Sequence, residues 1–291
     1  MKLASWILAV RLRTLSLSTT PVVVGTALAW AVERTFLFSA VLAAFIGSML
    51  IQAGTNLHND AADYKRGGDG PDRVGPVRAV ASGRLKGIAV DRAACACFAA
   101  AALIGVYLSW MGGWPIFLLG VASIFSGWAY TGGPLPIAYT PFGEFFVVAF
   151  FGVGAVCGTY WLCAGNMTPA PIEAGVAVGF LTGAVLLVNN HRDAEADARV
   201  GRRTLAIIAG PTATTWMYAA LMLGPFALLV PIGQVIPHGH VWPALITLPL
   251  AGLLIHRFAH EPRGRGFNRI LVQTVLVQSS FSLLLALGLV L

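Results

Sequence analysis

Nine runs of apolar residues, each close to 18 residues or longer, restrict this chain to one class of fold. They cover residues 15–33, 38–57, 91–111, 114–131, 143–164, 171–190, 213–233, 241–259 and 270–290. About 20 such residues rise ~30 Å as an α-helix, the thickness of a bilayer's hydrocarbon core. The runs are continuous and do not alternate in ~10-residue segments, so they read as helices and not as strands of a barrel. A bundle of nine apolar helices in water needs a dense charged shell, and the chain has none. Charged residues make up 11% of the 291 and apolar residues 57%, against a usual ~25% and ~45–50%. Mean hydropathy is +0.77. A water-soluble globule and a disordered chain are both excluded. The expectation is an all-α polytopic membrane protein, one integral-membrane domain over 1–291 with two motif-bearing halves, about 1–140 and 141–291.

Charge placement orients the spans. With the N-terminus in the cytoplasm, every Lys and Arg except Arg34 falls on the cytoplasmic side, as the positive-inside rule requires. The net charge of +7 is therefore a topology signal and an anion-attracting surface, with no nucleic-acid partner implied. No cleavable signal sequence is visible in Met1–Leu8, and the segment before the first span reads as an interfacial helix. Cys95, Cys97, Cys157 and Cys163 all fall in the spans and read as packing residues. Gly152, Gly154 and Gly158 would let helices approach closely.

Seven of the twelve acids lie in two clusters. Asn59-Asp60-Ala61-Ala62-Asp63-Tyr64-Lys65-Arg66 runs on to Asp69, Asp72 and Arg73, and Asn189-Asn190-His191-Arg192-Asp193 runs on to Glu195 and Asp197. They follow the second and sixth spans, so both sit at cytoplasmic helix ends. Asn189, Asp193 and Asp197 recur every four residues, as do Asn59 and Asp63, which stacks each set on one helical face. Like charges so placed repel, and more strongly near a membrane. A divalent cation reverses the sign of that effect. Oxygen donors of this kind favour Mg²⁺, Mn²⁺ or Ca²⁺ over Zn²⁺. Two such clusters with interleaved Lys and Arg suit a diphosphate held between Mg²⁺ ions.

These residues carry a family resemblance. Asn59 to Gly83 is similar to the motif NDxxDxxxGxD, and Asn189 to Ala206 to NNxRDxxxDxxxGxxTL, of the UbiA superfamily of intramembrane aromatic prenyltransferases. The branch that these motifs resemble acts on 1,4-dihydroxy-2-naphthoate in menaquinone biosynthesis. Arg11 to Ala29 and Tyr130 to Glu144 resemble further stretches of the family. Asp69 follows Gly67 where the 4-hydroxybenzoate branch usually has Asp in place of that glycine. Ala61 and His191 depart from the more usual aromatic and apolar residues.

The resemblance implies nine helices around a central cavity open sideways to lipid, in the bacterial cytoplasmic (inner) membrane. It implies transfer of a polyprenyl group from polyprenyl diphosphate to 1,4-dihydroxy-2-naphthoate with loss of CO₂, assisted by two Mg²⁺ ions. The metal ligands it implies are Asn59, Asp63, Asp69, Asp193 and Asp197, with Asp63, Asp193 and Asp197 central to catalysis and Asp60 and Asp72 nearby. Substrate contacts fall on Asn59, Asp60, Lys65, Arg73, Arg78, Tyr130, Tyr139, Asn189 and Arg192. Arg66 and Arg203 are further bases for the diphosphate, Arg11 and Arg13 for a carboxylate or lipid phosphate, and Glu144 is a further polar contact. Two other readings stay open: the same chemistry on another aromatic acceptor (4-hydroxybenzoate, homogentisate or a chlorophyllide), and a secondary transporter, for which intramembrane charges would mark a solute path.

Overall fold

The computed structural model describes residues 2–67, 74–236 and 238–291, and among them every regular element is helical. Asp69, Asp72 and Arg73 lie outside the described residues. A short helix α1 (Lys2–Val10) meets α2 (Leu12–Glu33) at Arg11, whose left-handed backbone (φ 57°) turns the chain. The stretch Leu3–Thr14 is bent by 44° from Ser16–Glu33. There follow α3 (Phe38–Lys65), α4 (Gly87–Ala129) and a span made of α5 (Gly143–Val147), a π-helical turn (Val148–Gly154) and α6 (Ala155–Ala164). The bundle is completed by α7 (Pro169–Arg199), α8 (Leu205–Val235), α9 (Leu248–His260) after a 3₁₀ stretch at Trp242–Thr247, and α10 (Phe267–Val290). All nine apolar runs fall on these helices.

By length and composition seven helices can cross a bilayer, or eight with the bent α1–α2 pair. That tally takes α4 as one element. Its 43 residues would reach roughly 65 Å at ~1.5 Å per residue, about twice the hydrocarbon core. Gly113 breaks it, with φ 72° and ψ −163°, and Pro115 follows. A Cβ on Gly127 would sit 3.3 Å from the Phe98 ring, an approach that requires the two halves to fold back on each other. The two runs predicted over 91–111 and 114–131 are these two halves.

Helices α3 and α7 overshoot their apolar runs, reaching Lys65 and Arg199. Twenty residues from Phe38 or from Pro169 traverse ~30 Å of hydrocarbon. Both acidic motifs therefore begin where their helix leaves it, at the same depth and on the same side.

The main core gathers α2, α6, α7, α8, α9 and α10, with Leu28, Leu181, Leu187, Met222, Phe281 and Leu285 fully buried. Close approach of α7 to the α5–α6 span depends on glycine: a Cβ on Gly152 would strike the Gly175 carbonyl oxygen and the Gly179 backbone. Polar side chains pair between helices within the bundle, as an apolar solvent favours. Gln278 Nε2 donates to Thr20 Oγ1 at 2.9 Å, and Ser279 Oγ to Ser16 Oγ at 3.1 Å, joining α10 to α2. Trp110, Trp114, Phe125 and Trp216 are exposed. On a soluble protein such an apolar surface would be a liability; in a bilayer it is the lipid-facing wall.

Candidate active site

A cavity of about 1460 Å³ runs through the bundle, larger than the ~300–1,000 Å³ of ordinary small-molecule sites. Its walls are mainly apolar, including Ile104, Leu108, Ile116, Phe150 and Val275. One end is polar and carries Asn59, Asp63, Arg78, Asn189, Arg192 and Asp193. The lining thus suits a molecule with a charged head and a long hydrocarbon tail.

The two motifs meet at this head. On α3, Asp63 accepts from Arg78 Nη2 at Oδ2 (3.1 Å) and from Arg202 Nη2 at Oδ1 (2.6 Å). Asn59 Oδ1 accepts from the same Arg78 nitrogen at 2.6 Å and from Arg11 Nη2 at 3.4 Å. On α7, Arg192 grips Asp193 with two hydrogen bonds of 2.8 and 2.6 Å and reaches Asn189 Oδ1 at 2.8 Å. Its Nη1 donates to Asn268 Oδ1 on α10 at 2.8 Å, and Asn268 Nδ2 in turn holds the Val74 carbonyl. Arg202 joins the motifs: besides Asp63 it pairs with Asp197 Oδ1 at 3.2 Å, and its guanidinium lies 4.9 Å from the centre of the Tyr139 ring. Burial opposes the Arg202 charge, but the Asp63 and Asp197 carboxylates outweigh it and raise its pKa above the ordinary arginine value. Asp197 does not line the cavity; Arg202 does.

Several predicted contacts are placed differently. Asp60 is 1% exposed, and its two oxygens accept the backbone N–H groups of Ala79 and Val80 at 3.0 and 3.1 Å. It anchors the loop that carries Arg78, and it also belongs to the cavity lining. The Lys65 side chain is 61% exposed, reaches toward Asp91 at 3.5 Å and does not line the cavity. Two positions separate Lys65 from Asp63, or ~200° around the helix, so it points away. Arg66 donates to the carbonyls of Thr131 and Gly133, fixing the α4–α5 connection to α3. Arg203 is exposed, and its backbone N–H bonds the Tyr139 carbonyl. Tyr130 lines the cavity, whereas Tyr139 flanks it and stacks on Arg202. Glu144 is buried and accepts from Asn190 Nδ2 at 2.8 Å. Asn190 itself lines the cavity.

Arg202, Asn268 and Asn56 are site residues that the motif reading did not single out. Asn56 lines the cavity and donates to the Val10 carbonyl at 2.9 Å. It lies three residues before Asn59, on the same face of α3, a periodicity visible in the sequence. Nothing in the sequence singled out Asn268.

The oxygens of Asn59, Asp63, Asn189, Asp193 and Asp197 are the hard donors that Mg²⁺ takes. Among the described residues no three His, Cys, Asp or Glu side chains gather at one point. Mg²⁺ is commonly bound by one or two carboxylates with water and substrate phosphate completing its shell. The donor set fits the ion.

The chain is similar to proteins of known family. The 1,4-dihydroxy-2-naphthoate octaprenyltransferase of Bacillus subtilis (strain 168) is 37% identical over 210 residues, 72% of this chain and 67% of the relative. The protein of the same name from Mycobacterium tuberculosis is 37% identical over 219 residues, 75% and 74% of the two chains. In three dimensions the fold matches a UbiA homologue from Archaeoglobus fulgidus bound to GPP and Mg²⁺, with TM-score 0.73, 15% identity and 98% and 99% of the two chains covered. The model of the UbiA prenyltransferase family matches residues 18–271, a stretch that holds both acidic motifs and most of the cavity wall, and the chain belongs to that family.

Proposed function

We propose that this integral membrane protein transfers a polyprenyl group from polyprenyl diphosphate to 1,4-dihydroxy-2-naphthoate, releasing diphosphate and CO₂ and forming demethylmenaquinol, the reduced form of demethylmenaquinone. The observation that carries the reading is the cavity itself, with both acidic motifs converging on its polar end and hydrocarbon-lined walls beyond. The names of the relatives point to this acceptor. A transporter would place its binding groups near mid-membrane between repeats. Here both motifs lie at one end of the cavity, the arrangement of a one-sided enzyme.

Asn59, Asp63, Asp193 and Asp197 would hold Mg²⁺, two ions shared between the motifs, and Asp69 falls in the same motif. Bound there, Mg²⁺ would neutralise the charge that develops on the departing diphosphate. Arg78, Arg192 and Arg202 supply the remaining positive charge at the head, and Arg73 belongs to the same motif. The allylic C–O bond breaks with its electron pair going to the diphosphate. The electron-rich ring attacks the prenyl carbon, a C–C bond forms, and the carboxylate leaves as CO₂, returning its electrons to the ring. Apolar walls keep water from the cationic prenyl group. Tyr130 and Asn190 both line the cavity and would be available to the acceptor ring. The charge pattern puts the N-terminus and the site on the cytoplasmic side.

Purified protein incubated with an octaprenyl diphosphate, 1,4-dihydroxy-2-naphthoate and Mg²⁺ tests the reading. Prenylated, decarboxylated product is expected. EDTA, Asp63→Asn or Asp193→Asn should each lower the rate by a factor on the order of 100 or more. Turnover unaffected by EDTA and by both variants would remove the acidic motifs from the mechanism.

A further inference from the structure

Asn59, Asp63, Asn189 and Asp193, the motif oxygens that face the cavity head on the two stacked helical faces, each have an arginine for a partner. Asp63 uses both carboxylate oxygens, one on Arg78 and one on Arg202. Asp193 is gripped on both oxygens by Arg192. Asn59 and Asn189 accept from Arg78 and Arg192. The like-charge repulsion that the motif spacing predicts is thus relieved by guanidinium groups, without any cation from solution.

Arg202 differs from the other two in its position. Arg192 sits on α7 beside Asp193 and is tied to Asn268. Arg202 instead stands beyond the end of α7, one residue after Gly201, whose φ of 79° and open surroundings mark a turn. It forks between Asp63 on α3 and Asp197 on α7, two residues of different motifs, with its side chain 13% exposed. Its Nε is buried without a hydrogen-bond partner. It is therefore the cation best placed to change partners, and the single side chain pairing with carboxylates of both motifs among the described residues.

We propose that Arg202 is an internal counter-ion that competes with the metal for Asp63 and Asp197 and yields them only when a diphosphate supplies it with another anion. This rests on the functional reading above. The physical reason is charge balance. An Mg²⁺ ion binds carboxylate oxygen at ~2.0–2.1 Å, so on Asp63 Oδ1 it would lie close to a guanidinium nitrogen that is 2.6 Å from the same atom. Two cations at that separation repel strongly in a buried setting. A diphosphate relieves the conflict by accepting the Arg202 fork, a geometry in which guanidinium binds phosphate well. Metal and diphosphate then bind cooperatively, and Arg202 sets the size of the coupling. Its role is to position and regulate; it would also keep the head from filling with metal when no substrate is present.

The test measures metal binding and needs no turnover. Mn²⁺ is titrated into the purified full-length protein in detergent and followed by electron paramagnetic resonance, with and without inorganic pyrophosphate. Wild type, Arg202→Gln and Arg202→Lys are compared, and thermal unfolding without metal verifies that each is folded. Wild type should bind Mn²⁺ weakly alone and on the order of ten- to a hundredfold more tightly with pyrophosphate. Arg202→Gln should bind Mn²⁺ alone on the order of tenfold more tightly than wild type and lose most of the gain from pyrophosphate. Arg202→Lys, which keeps the charge, should stay near wild type for the metal alone. Folded Arg202→Gln whose metal-alone affinity equals or falls below wild type overturns the proposal, while metal binding strengthened by pyrophosphate in both would leave the functional reading standing. Absence of Mn²⁺ binding in every protein, pyrophosphate included, overturns both.

Discussion

Asp60 and Asp63 lie one helical turn apart on α3 and do different work. Asp63 faces the cavity and is bridged by Arg78 and Arg202. Asp60 lies ~60° away around the helix and caps the backbone of Ala79 and Val80. A buried N–H left without an acceptor costs about 1–3 kcal/mol. Asp60→Ala is therefore expected to destabilise the protein by about 2 kcal/mol or more and to lower activity by releasing Arg78. Lys65→Ala, on the exposed face, should change neither stability nor rate by more than about twofold. Thermal unfolding in detergent together with initial rates checks both. Equal loss of activity in the two variants would mean that Lys65 reaches the substrate after all. This contrast also shows how far the motif could be read. Helical phase alone separates Lys65 from Asn59 and Asp63, and that information was in the sequence. The backbone partners of Asp60 were not, because Ala79 and Val80 reach it through a loop whose path has no periodicity.

The helices that carry the motifs were legible because hydrophobic length and polar spacing agree. Apolar runs of about 20 residues end near Asn59 and Asn189, and the helices continue past them carrying the polar motifs. The π-helical turn at Val148–Gly154 and the break at Gly113 were less accessible. The first follows from packing against α7 and the second from a backbone angle that only glycine adopts easily. Gly152 makes the packing testable. Gly152→Ala places a methyl against the Gly175 and Gly179 backbone, which cannot move aside without separating the fifth span from α7. The expected cost is about 1–3 kcal/mol, with a fall in activity as Asn190 and Asp193 shift. Gly252→Ala meets nothing within 4 Å and should be neutral or stabilising by up to about 1 kcal/mol. Unfolding midpoints that do not separate the two variants would contradict the close α7 contact.

The bundle as a unit is a lipid-facing shell around one amphipathic cavity, and charge asymmetry predicts its orientation. With the four native cysteines replaced, single cysteines at Arg34, Ser82 and Leu291 should report opposite sides. An impermeant maleimide added to intact cells is expected to label Arg34→Cys and Leu291→Cys but not Ser82→Cys. Labelling of Leu291→Cys only after lysis would give an even number of spans and undo the nine-span reading. The cross-motif role of Arg202 belongs to the same whole-bundle level. In the sequence it is one of four arginines between 192 and 203, indistinguishable from topology charges. Only the convergence of α3 and α7 selects it.

One acceptor competition addresses the central claim, that the cavity unites a prenyl diphosphate head with a dihydroxynaphthoate ring. Membranes containing the protein, given octaprenyl diphosphate, Mg²⁺ and equimolar 1,4-dihydroxy-2-naphthoate and 4-hydroxybenzoate, are extracted and their prenylated products weighed by mass spectrometry. The account predicts a naphthoquinol product lacking the carboxylate, absent when EDTA is added. A prenylated 4-hydroxybenzoate that retains its carboxylate, or no prenylated aromatic from folded protein, would contradict it.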